Sequence, residues 1–438
     1  MSTPVSLCGR RLVGLLGELA LAVLLLVLLL PAEPSRAAGG DVVWVQHWNA
    51  ATPGAARVPR IDVATTGDVF VAMTFNDDLR LLCYAPDGAL RWTRRYDGPA
   101  GGLDRLVDVC ADRSGGAVVA VSSEGRGTVT DWIVRDYRGD GRLRWSRRLD
   151  GTRHAGDDPS DVVVDVAGNA IVTGTLRNAG SASNWCTVRF GPSGAVLWSK
   201  AVRGSADAVT VDPAGVVYAT GGEWRDGKAF AKTISYSPGG TLRWTRRLWN
   251  RDDTRGADVA ANGRRIAVAG SNGSRGIIIR YRPDGSVVAP TLLSPGLSWF
   301  ERCGIDDRSR VAAGGVSYWS DSEGCDPMVC RTWAPDPFIV VPTGAVDGGM
   351  GGFDMTRGGA VALAGHVYRD DTGYDAVTVF VGADGAGWVS EFSDAAAPEV
   401  YQTATGVAVT SGAVYVAMDA EHGWGGGITD LVLVKYDR

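Results

Sequence analysis

Short apolar runs separated by turns fill most of the chain. One unit shows the pattern clearly, with the runs Asp207–Asp212, Val216–Gly221, Ala231–Tyr236 and Thr241–Arg247 separated by connections that contain Gly or Pro. Runs of this length, rich in β-branched residues, predict strands, and no long helical period follows the apolar N-terminal segment. The pattern therefore predicts an all-β fold built from four-stranded units.

The fourth run of the unit carries a recurring phrase, in which a turn with Gly precedes a strand that contains Trp. It reads PDGALRWTRRYDG at 86–98, GDGRLRWSRRLDG at 139–151, GPSGAVLWSK at 191–200 and SPGGTLRWTRRL at 237–248. The tryptophans recur roughly every 46 to 53 residues, a spacing typical of the blades of a β-propeller.

The repeat covers nearly the whole chain. The first three strands recur eight times, in Ile61–Tyr84, Leu106–Tyr137, Asp161–Phe190, Asp207–Tyr236, Ala257–Tyr281, Trp299–Trp333, Gly352–Val381 and Thr405–Tyr436. The fourth strand keeps its Trp six times, at Trp44, Trp92, Trp145, Trp198, Trp244 and Trp388, and degenerate copies are predicted near Val287–Ala289 and Phe338–Val341. We predict an eight-bladed β-propeller, with seven blades as the alternative because the sixth unit is weak.

The order of the strands predicts how the ring closes. Val42–Trp48 is a lone fourth strand, whereas the last unit ends after its third strand, Leu431–Tyr436. We therefore expect the N-terminal strand to complete the C-terminal blade, which hides two sheet edges that would otherwise favour aggregation.

The repeated Trp is expected to pack between neighbouring blades as a structural residue. The Arg pairs that follow it, Arg94-Arg95, Arg147-Arg148 and Arg246-Arg247, are expected on the rim. Because charged side chains on an outer strand discourage pairing with other chains, we interpret these pairs as a solvated edge.

The N-terminus has the pattern of a targeting segment. Two arginines precede an apolar run from Leu12 to Leu30, and Ser35-Arg36-Ala37 fits a cleavage site with small residues. We predict a signal peptide over residues 1–37, with a retained anchor as the alternative because the run is long enough to span a bilayer. The propeller is predicted over residues 41–438, in a protein that is secreted or held in the cell envelope.

The net charge bears on the class of partner, and the cysteine content bears on disulfides. A formal net charge of −5 argues against a nucleic-acid partner. Six cysteines follow the leader, and an even number in an exported protein permits disulfides. Cys325 and Cys330, in the same repeat as Cys303, are where we expect a disulfide first.

The repeat resembles the bacterial SBBP-type and PQQ-like propeller repeats. The copy nearest to their pattern is Asp161–Gly174 (DVVVDVAGNAIVTG) followed by Trp185–Trp198 (WCTVRFGPSGAVLW). The resemblance implies the fold over nearly the whole mature chain but no single activity, because these repeats serve many roles.

Two better-defined propeller families differ from this sequence. The quinoprotein dehydrogenases bind their cofactor with an adjacent Cys-Cys pair, which the sequence lacks, so no cofactor is predicted. Outer-membrane assembly propellers are protein-binding scaffolds attached through a lipid-bearing Cys. That Cys is missing here, so the scaffold role transfers only by analogy.

Candidate functional residues lie in the longer connections of the predicted ring. We call the side that carries them the loop face, and the side with tight turns such as Thr66-Gly67-Asp68 the turn face. The loop-face candidates are His154, Asp158, Trp224, Arg225, Trp319, His366, Tyr368, Asp370, His422 and Trp424. Aromatic side chains beside carboxylates suit a carbohydrate, and His366 and His422 with Asp370 or Glu421 suit a metal ion. The plainer interpretation is that these are ordinary polar loop residues.

These observations predict a monomeric, non-catalytic binding scaffold, with a protein or carbohydrate partner at the loop face or at the mouth of the central channel. No catalytic, cofactor-binding or metal-binding residue is assigned. The alternative is a hydrolase or lyase that acts on extracellular polysaccharide. An enzyme requires two or three of the titratable candidates to converge on one cavity, whereas a scaffold requires a broad patch.

Overall fold

The computed structural model describes residues 40–48, 56–178, 184–249, 252–288, 291–294, 296–318, 325–334, 338–340, 347–369, 373–392, 400–422 and 429–438. These residues belong to a compact unit, Gly39–Arg438, and the predicted signal peptide lies outside them. All regular elements in this part of the chain are strands, and it contains no helix long and apolar enough to cross a membrane.

The strands form eight antiparallel sheets, which we call blades. Blade 1 contains β2 (Ala56–Val63), β3 (Val69–Phe75), β4 (Asp78–Tyr84) and β5 (Leu90–Tyr96); blade 2 contains β6 (Asp104–Ala111), β7 (Ala117–Ser123), β8 (Asp131–Tyr137) and β9 (Leu143–Leu149). Blade 3 contains β10 (Asp158–Val164), β11 (Ala170–Thr175), β12 (Trp185–Phe190) and β13 (Val196–Val202); blade 4 contains β14 (Ser205–Val211), β15 (Val217–Arg225), β16 (Lys228–Tyr236) and β17 (Leu242–Leu248).

The second half of the ring repeats this order. Blade 5 contains β18 (Thr254–Ala261), β19 (Ile266–Asn272), β20 (Arg275–Tyr281) and β21 (Leu292–Leu293); blade 6 contains β22 (Ser298–Ile305), β23 (Val311–Tyr318), β24 (Cys325–Arg331) and β25 (Phe338–Val340). Blade 7 contains β26 (Asp347–Met355), β27 (Val361–Arg369), β28 (Gly373–Val381) and β29 (Gly387–Phe392); blade 8 contains β30 (Val400–Val409), β31 (Ala413–His422), β32 (Thr429–Asp437) and β1 (Val42–Trp48). The prediction of an eight-bladed propeller is confirmed, and the seven-bladed alternative is wrong.

The ring closes as the sequence predicts. Strand β1 pairs antiparallel with β32, from Val42 opposite Tyr436 to Trp48 opposite Leu431. The last blade therefore takes its outermost strand from the N-terminal end of the propeller, and β32 is paired on both of its edges.

The fourth strand of blade 5 differs from its predicted position. Val287 makes only an isolated bridge with Tyr281, and the strand that pairs with β20 is the two-residue β21. Pro290 lies between these two segments in the sequence and has no N–H to donate to a ladder. The predicted degenerate strand near Phe338 is present as β25.

The core of the propeller lies between the blades. A hydrophobic cluster occupies each of the eight junctions, for example Phe70, Leu81, Val119 and Ile133 between blades 1 and 2. The middle strands of a blade are packed on both faces, as in β3, which is buried along its whole length. Their sequences are therefore continuous apolar runs and do not alternate with polar residues.

At six of the eight blade junctions, the repeated Trp packs against a glycine of the next blade. A Cβ built on Gly141 would lie 2.7 Å from the Trp92 ring, and the Trp92 Nε1 donates to the Gly139 carbonyl at 2.8 Å. The other Trp–Gly pairs that join neighbouring blades are Trp44–Gly88, Trp145–Gly194, Trp198–Gly240, Trp244–Gly285 and Trp388–Gly40. Each of these glycines has a positive φ between 77° and 90°. The prediction that the Trp packs between neighbouring blades is confirmed.

The Arg pairs do more than solvate the rim. The first Arg of each pair binds the next blade: Arg94 Nε donates to the Gly141 carbonyl at 2.6 Å, and Arg147 and Arg246 repeat this contact with Gly194 and Gly285. The second Arg pairs with an acid of its own blade, as Arg95 Nε does with Asp78 at 2.5 Å. The interpretation as a solvated edge is therefore incomplete, because these side chains also fix blade junctions.

The expected disulfide is not formed. Neither Cys325 nor Cys330 forms a disulfide, and neither do the other four cysteines of the described propeller. Both lie on β24 at an odd separation, so their side chains point to opposite faces of the sheet.

Candidate functional site

A β-bulge interrupts the pairing of the first two strands in every blade. In blade 2 it lies between Leu106 and Asp108, and in blade 6 between Phe300 and Arg302. The residues that follow the bulges occupy equivalent positions around the axis: Arg60, Asp108, Asp161, Ala208, Asp258, Arg302, Gly352 and Gly406. We call this set the channel ring.

The channel ring surrounds a central cavity of about 340 Å³. Five acids line it, of which Asp108, Asp161 and Asp258 belong to the channel ring and Asp62 and Asp354 lie deeper, towards the turn face. Two cations, Arg60 and Arg302, also line it. The wall therefore carries more acidic than basic groups.

Four of these carboxylates link the innermost strands of neighbouring blades. Asp161 accepts hydrogen bonds from Val162 N at 2.8 Å and from Val209 N of blade 4 at 2.7 Å. Asp258 does the same with Cys303 of blade 6. Asp62 and Asp354 make the equivalent bonds deeper in the channel, with Ala111 of blade 2 and Val409 of blade 8. These links give the acids a structural role.

Burial changes the ionisation of the channel wall. It raises the pKa of Asp62 to about 7, with a smaller contribution from the neighbouring carboxylate of Asp354. Burial also raises the pKa of Asp161, Asp258 and Asp354. Burial disfavours the charged form of Arg302, but Asp258 and Asp161 outweigh it and hold the pKa of Arg302 above its ordinary value.

A second cavity, of about 370 Å³, lies at the loop-face mouth of the channel. We call it the vestibule. Its lining includes the side chains of Ser160, Asp207, Arg255, Ser271, Trp299 and Glu301. Arg302 lines both the vestibule and the central cavity, so the two spaces adjoin.

The vestibule combines one exposed aromatic ring with fixed polar groups. Trp299 is 43% exposed, and its ring packs edge-on against Tyr318 with 5.0 Å between centroids. Arg255 Nε donates to Asp207 Oδ2 at 3.1 Å, which orients that carboxylate. Burial raises the pKa of Glu301, although the positive charges of Arg302 and Arg60 oppose the shift. A volume of this size falls within the range of small-molecule sites.

The turn face carries a larger cavity of about 940 Å³ among the inner turns of blades 7, 8 and 1. Its cationic lining consists of Arg357, Lys435 and Arg438. Arg438 already donates to the carbonyls of Thr410 and Ser411, at 3.1 Å each. This cavity lacks an exposed tryptophan in its lining.

Two predicted site residues lie at the junction of blades 2 and 3. His154 Nδ1 is 2.8 Å from Asp150 Oδ2, and its ring is exposed. Asp158 Oδ1 accepts from Ser122 Oγ at 2.5 Å and from Arg105 at 3.3 Å. Asp158 is the second residue before the bulge residue Ser160, so it lies at the rim of the channel.

Two more lie on the hairpin of blade 4. Strands β15 and β16 have nine residues each, and their ends carry Trp224, which is 61% exposed, and Arg225. Arg225 pairs with Asp226 at 3.3 Å.

The remaining described candidates pack against other aromatic rings. His366 and Tyr368 both contact Tyr374, at centroid distances of 5.3 and 5.1 Å, and Tyr374 contacts Tyr401 of blade 8. His422 ends β31, but its side chain lies outside the described residues, as do Trp319, Asp370 and Trp424.

The structure does not bring the described candidates around one cavity. They lie at three separate places: His154 and Asp158 at the start of blade 3, Trp224 and Arg225 in blade 4, and His366 and Tyr368 in blade 7. None of them lines the central cavity or the vestibule. Their role in binding a partner stays a prediction.

Sequence reasoning missed the acids of the channel, although the repeat carries a signal for them. The first strand reads DVCAD at 108–112 and DVVVD at 161–165. The first Asp of the phrase lines the channel, and the second accepts backbone N–H bonds in the following turn, as Asp165 does from Ala167 and Asn169. Trp299 departs from the repeat, because most residues at the equivalent position of the other blades are small or charged.

Comparison with known proteins shows the fold. The structure of the Dos1 propeller has a TM-score of 0.58 and 9% identity, over 91% of this chain and 96% of that chain. Dihydro-heme d1 dehydrogenase NirN in complex with DHE has a TM-score of 0.50 and 13% identity, over 79% and 68%. A glucose dehydrogenase has a TM-score of 0.38 and 11% identity, over 62% of this chain and 96% of that chain. This similarity is too low to support a functional argument.

No family model and no curated protein sequence matches the chain. At identities this low, the structural similarities show a β-propeller and nothing about its activity. The more specific resemblance to SBBP-type repeats stays a prediction.

Proposed function

We propose that the protein is an exported β-propeller that acts as a non-catalytic binding scaffold in the cell envelope or outside the cell, and that its partner is a carbohydrate bound in the vestibule. The observation that supports the site is the exposed ring of Trp299 beside Glu301 and Asp207. The apolar leader of the sequence supports export.

The side chains of the vestibule match the chemistry of a sugar. An exposed indole offers a flat apolar surface for the C–H face of a pyranose, and carboxylates and hydroxyls accept or donate hydrogen bonds to its hydroxyl groups. Arg255 holds the Asp207 carboxylate in place, so part of the polar site is fixed before a ligand arrives. The eight closed blades supply a rigid frame for this site.

A binding screen tests the proposal. The purified protein is titrated with oligosaccharides from envelope and extracellular polysaccharides, and a ligand that binds the folded state raises the melting temperature in a concentration-dependent way. We expect Trp299→Ala to weaken the affinity for the best ligand at least about tenfold, because it removes the stacking surface.

Trp224→Ala is the matched control, because Trp224 is also an exposed tryptophan of the loop face but does not line the vestibule. It should bind like the wild type. Loss of binding in Trp224→Ala with normal binding in Trp299→Ala would move the site to the hairpin of blade 4. The absence of any sugar ligand would contradict the proposal.

A polysaccharide-acting enzyme is the second candidate, and the raised pKa of Glu301 favours it. Many glycosidases use two carboxyl groups, one of which has a raised pKa, and Glu301 lines the vestibule together with Asp207. Under this proposal the protein cleaves the sugar that it binds, and Glu301→Gln abolishes cleavage while binding persists. Chromatography of the oligosaccharide after incubation distinguishes the two functions.

A further inference from the structure

Two sets of three aspartates occupy equivalent positions at consecutive blade junctions. The first triad is Asp78, Asp97 and Asp104, and the second triad is Asp131, Asp150 and Asp157. In each triad the three residues offer ligand atoms within 4.8 Å of one another. The chain thus repeats one acidic arrangement in two successive blades, and their surroundings can be compared directly.

The chain itself neutralises the first triad. Arg95 Nε lies 2.5 Å from Asp78 Oδ2, and Arg95 Nη2 lies 3.1 Å from Asp97 Oδ2. One guanidinium therefore bridges two acids of the triad. Arg80 adds a second cation, with its Nη1 3.4 Å from Asp78 Oδ2.

The second triad has one arginine beside Asp131, and His154 Nδ1 lies 2.8 Å from Oδ2 of Asp150. Arg148, the equivalent of Arg95, donates from Nε to Asp131 Oδ2 at 2.8 Å and also contacts Thr128. Within the described residues it forms no ion pair with Asp150. The position of Arg80 is taken by Ile133, because Arg80 lies opposite Arg95 and Ile133 lies opposite Arg148 in the strand registers.

Blade 4 also carries a cation at the position equivalent to Arg80. The residue is Lys232, which lies opposite Arg247, and the Lys232 Nζ lies 3.0 Å from the buried carboxylate of Glu223. Blades 1 and 4 therefore supply a cation from their third strand to a buried acid at the loop face. Blade 2 supplies an isoleucine instead.

Two carboxylate oxygens of the second triad are buried and accept no hydrogen bond from the described residues. They are Oδ1 of Asp131, a residue that is only 1% exposed, and Oδ1 of Asp150. Trp132 lies opposite Leu149, so the register places Asp131 and Asp150 opposite each other on one face of the sheet. Like charges in that position repel, and buried oxygens without a partner are costly. A cation between them relieves both penalties.

We propose that Asp131, Asp150 and Asp157 bind a divalent cation of the calcium type. All the protein ligands are oxygens, which suit a hard cation, and Ca²⁺ accepts irregular geometry, whereas Mg²⁺ demands a near-ideal octahedron. The ion would tie the end of blade 2 to the start of blade 3, across the connection that carries His154. The sequence alone assigns no metal ligand to these residues.

Terbium luminescence tests the site on the whole protein. The buried Trp132, next to Asp131 in the sequence, is placed to sensitise a Tb³⁺ ion that substitutes for Ca²⁺. We expect saturable Tb³⁺ emission that Ca²⁺ displaces, and a melting temperature that is higher in Ca²⁺ than in EDTA. Asp150→Asn should weaken Ca²⁺ binding at least about tenfold, because it removes one charged ligand.

Asp97→Asn, the equivalent change in the first triad, is the matched control and should leave Ca²⁺ affinity unchanged. Equal losses in both variants, or a wild-type protein that shows neither saturable emission nor stabilisation by Ca²⁺, would overturn the proposal. The comparison of the wild type in Ca²⁺ and EDTA needs no variant, so the absence of stabilisation overturns the proposal even if Asp150→Asn fails to fold.

Discussion

At the scale of single residues, the contact between a tryptophan and a glycine repeats from blade to blade. Gly141 has a φ of +78°, a conformation that disfavours other residues, and its Cα lies under the Trp92 ring. The indole and the arginine that follows it both bind the same turn. The repeated phrase in the sequence therefore encodes both halves of a blade junction, the Trp in one blade and the Gly in the next.

The glycine variant Gly141→Ala tests this contact. We expect a loss of about 2–4 kcal/mol in the free energy of unfolding, because the added Cβ is strained at positive φ and overlaps the Trp92 ring. Gly127→Ala separates the two effects, since Gly127 has a φ of +81° and nothing within 4 Å of the added atom. It should cost only about 1 kcal/mol. Equal losses in urea unfolding would show that Trp packing contributes nothing.

At the scale of elements, the innermost strands depend on acids that line the channel. Residues such as Asp62 accept backbone hydrogen bonds from their own strand and from the next blade. Periodicity predicts where these strands lie, because alternation and turns are local properties. It does not predict the link from Asp62 to Ala111, because that contact depends on which strands meet at the axis.

The stability of the propeller should fall as pH rises from about 4 to about 7. The folded pKa of Asp62 is about 7 and its ordinary value is 3.8. Between these two pH values the Asp62 carboxyl keeps its proton in the folded protein and has lost it in the unfolded chain. The free energy of unfolding therefore falls as the pH rises across this range. Asp161, Asp258 and Asp354 shift in the same direction.

Asp62→Asn should reduce this pH dependence, because it removes one of the titrating groups. The variant should be less stable than the wild type at pH 4. The Asn side chain keeps only one acceptor oxygen for the two backbone N–H groups that Asp62 binds. Asp140→Asn, in an exposed hairpin turn, controls for the substitution itself. Urea unfolding at a series of pH values measures the effect, and an unchanged slope in Asp62→Asn would refute it.

At the scale of the whole molecule, the ring depends on a strand from the far end of the chain. The lone N-terminal strand and the three-stranded last unit predict this closure from sequence, because both unmatched ends are visible there. The candidate site was harder to predict. Trp299 and Glu301 come from one blade and Asp207 from another, and only the ring brings them to one mouth. Loop position and residue type, which predict candidates such as Trp224 and His366, do not say which loops meet, and the fold places these two in blades 4 and 7.

A chain that lacks residues 1–48 should aggregate. Removal of β1 exposes the edge of β32 and removes the contact of Trp44 with Gly88. We expect aggregation and a lower melting temperature relative to a chain that begins at Gly39, measured by light scattering and thermal unfolding. A monodisperse monomer with unchanged stability would show that closure by β1 is dispensable.

The most direct test of the proposed function is a crystal structure of the protein with its best-binding oligosaccharide. We predict a sugar ring stacked on Trp299, with hydroxyl groups hydrogen-bonded to Glu301 or Asp207. A ligand bound instead at the Trp224 hairpin or in the cationic cavity of the turn face would contradict the assignment of the vestibule as the binding site.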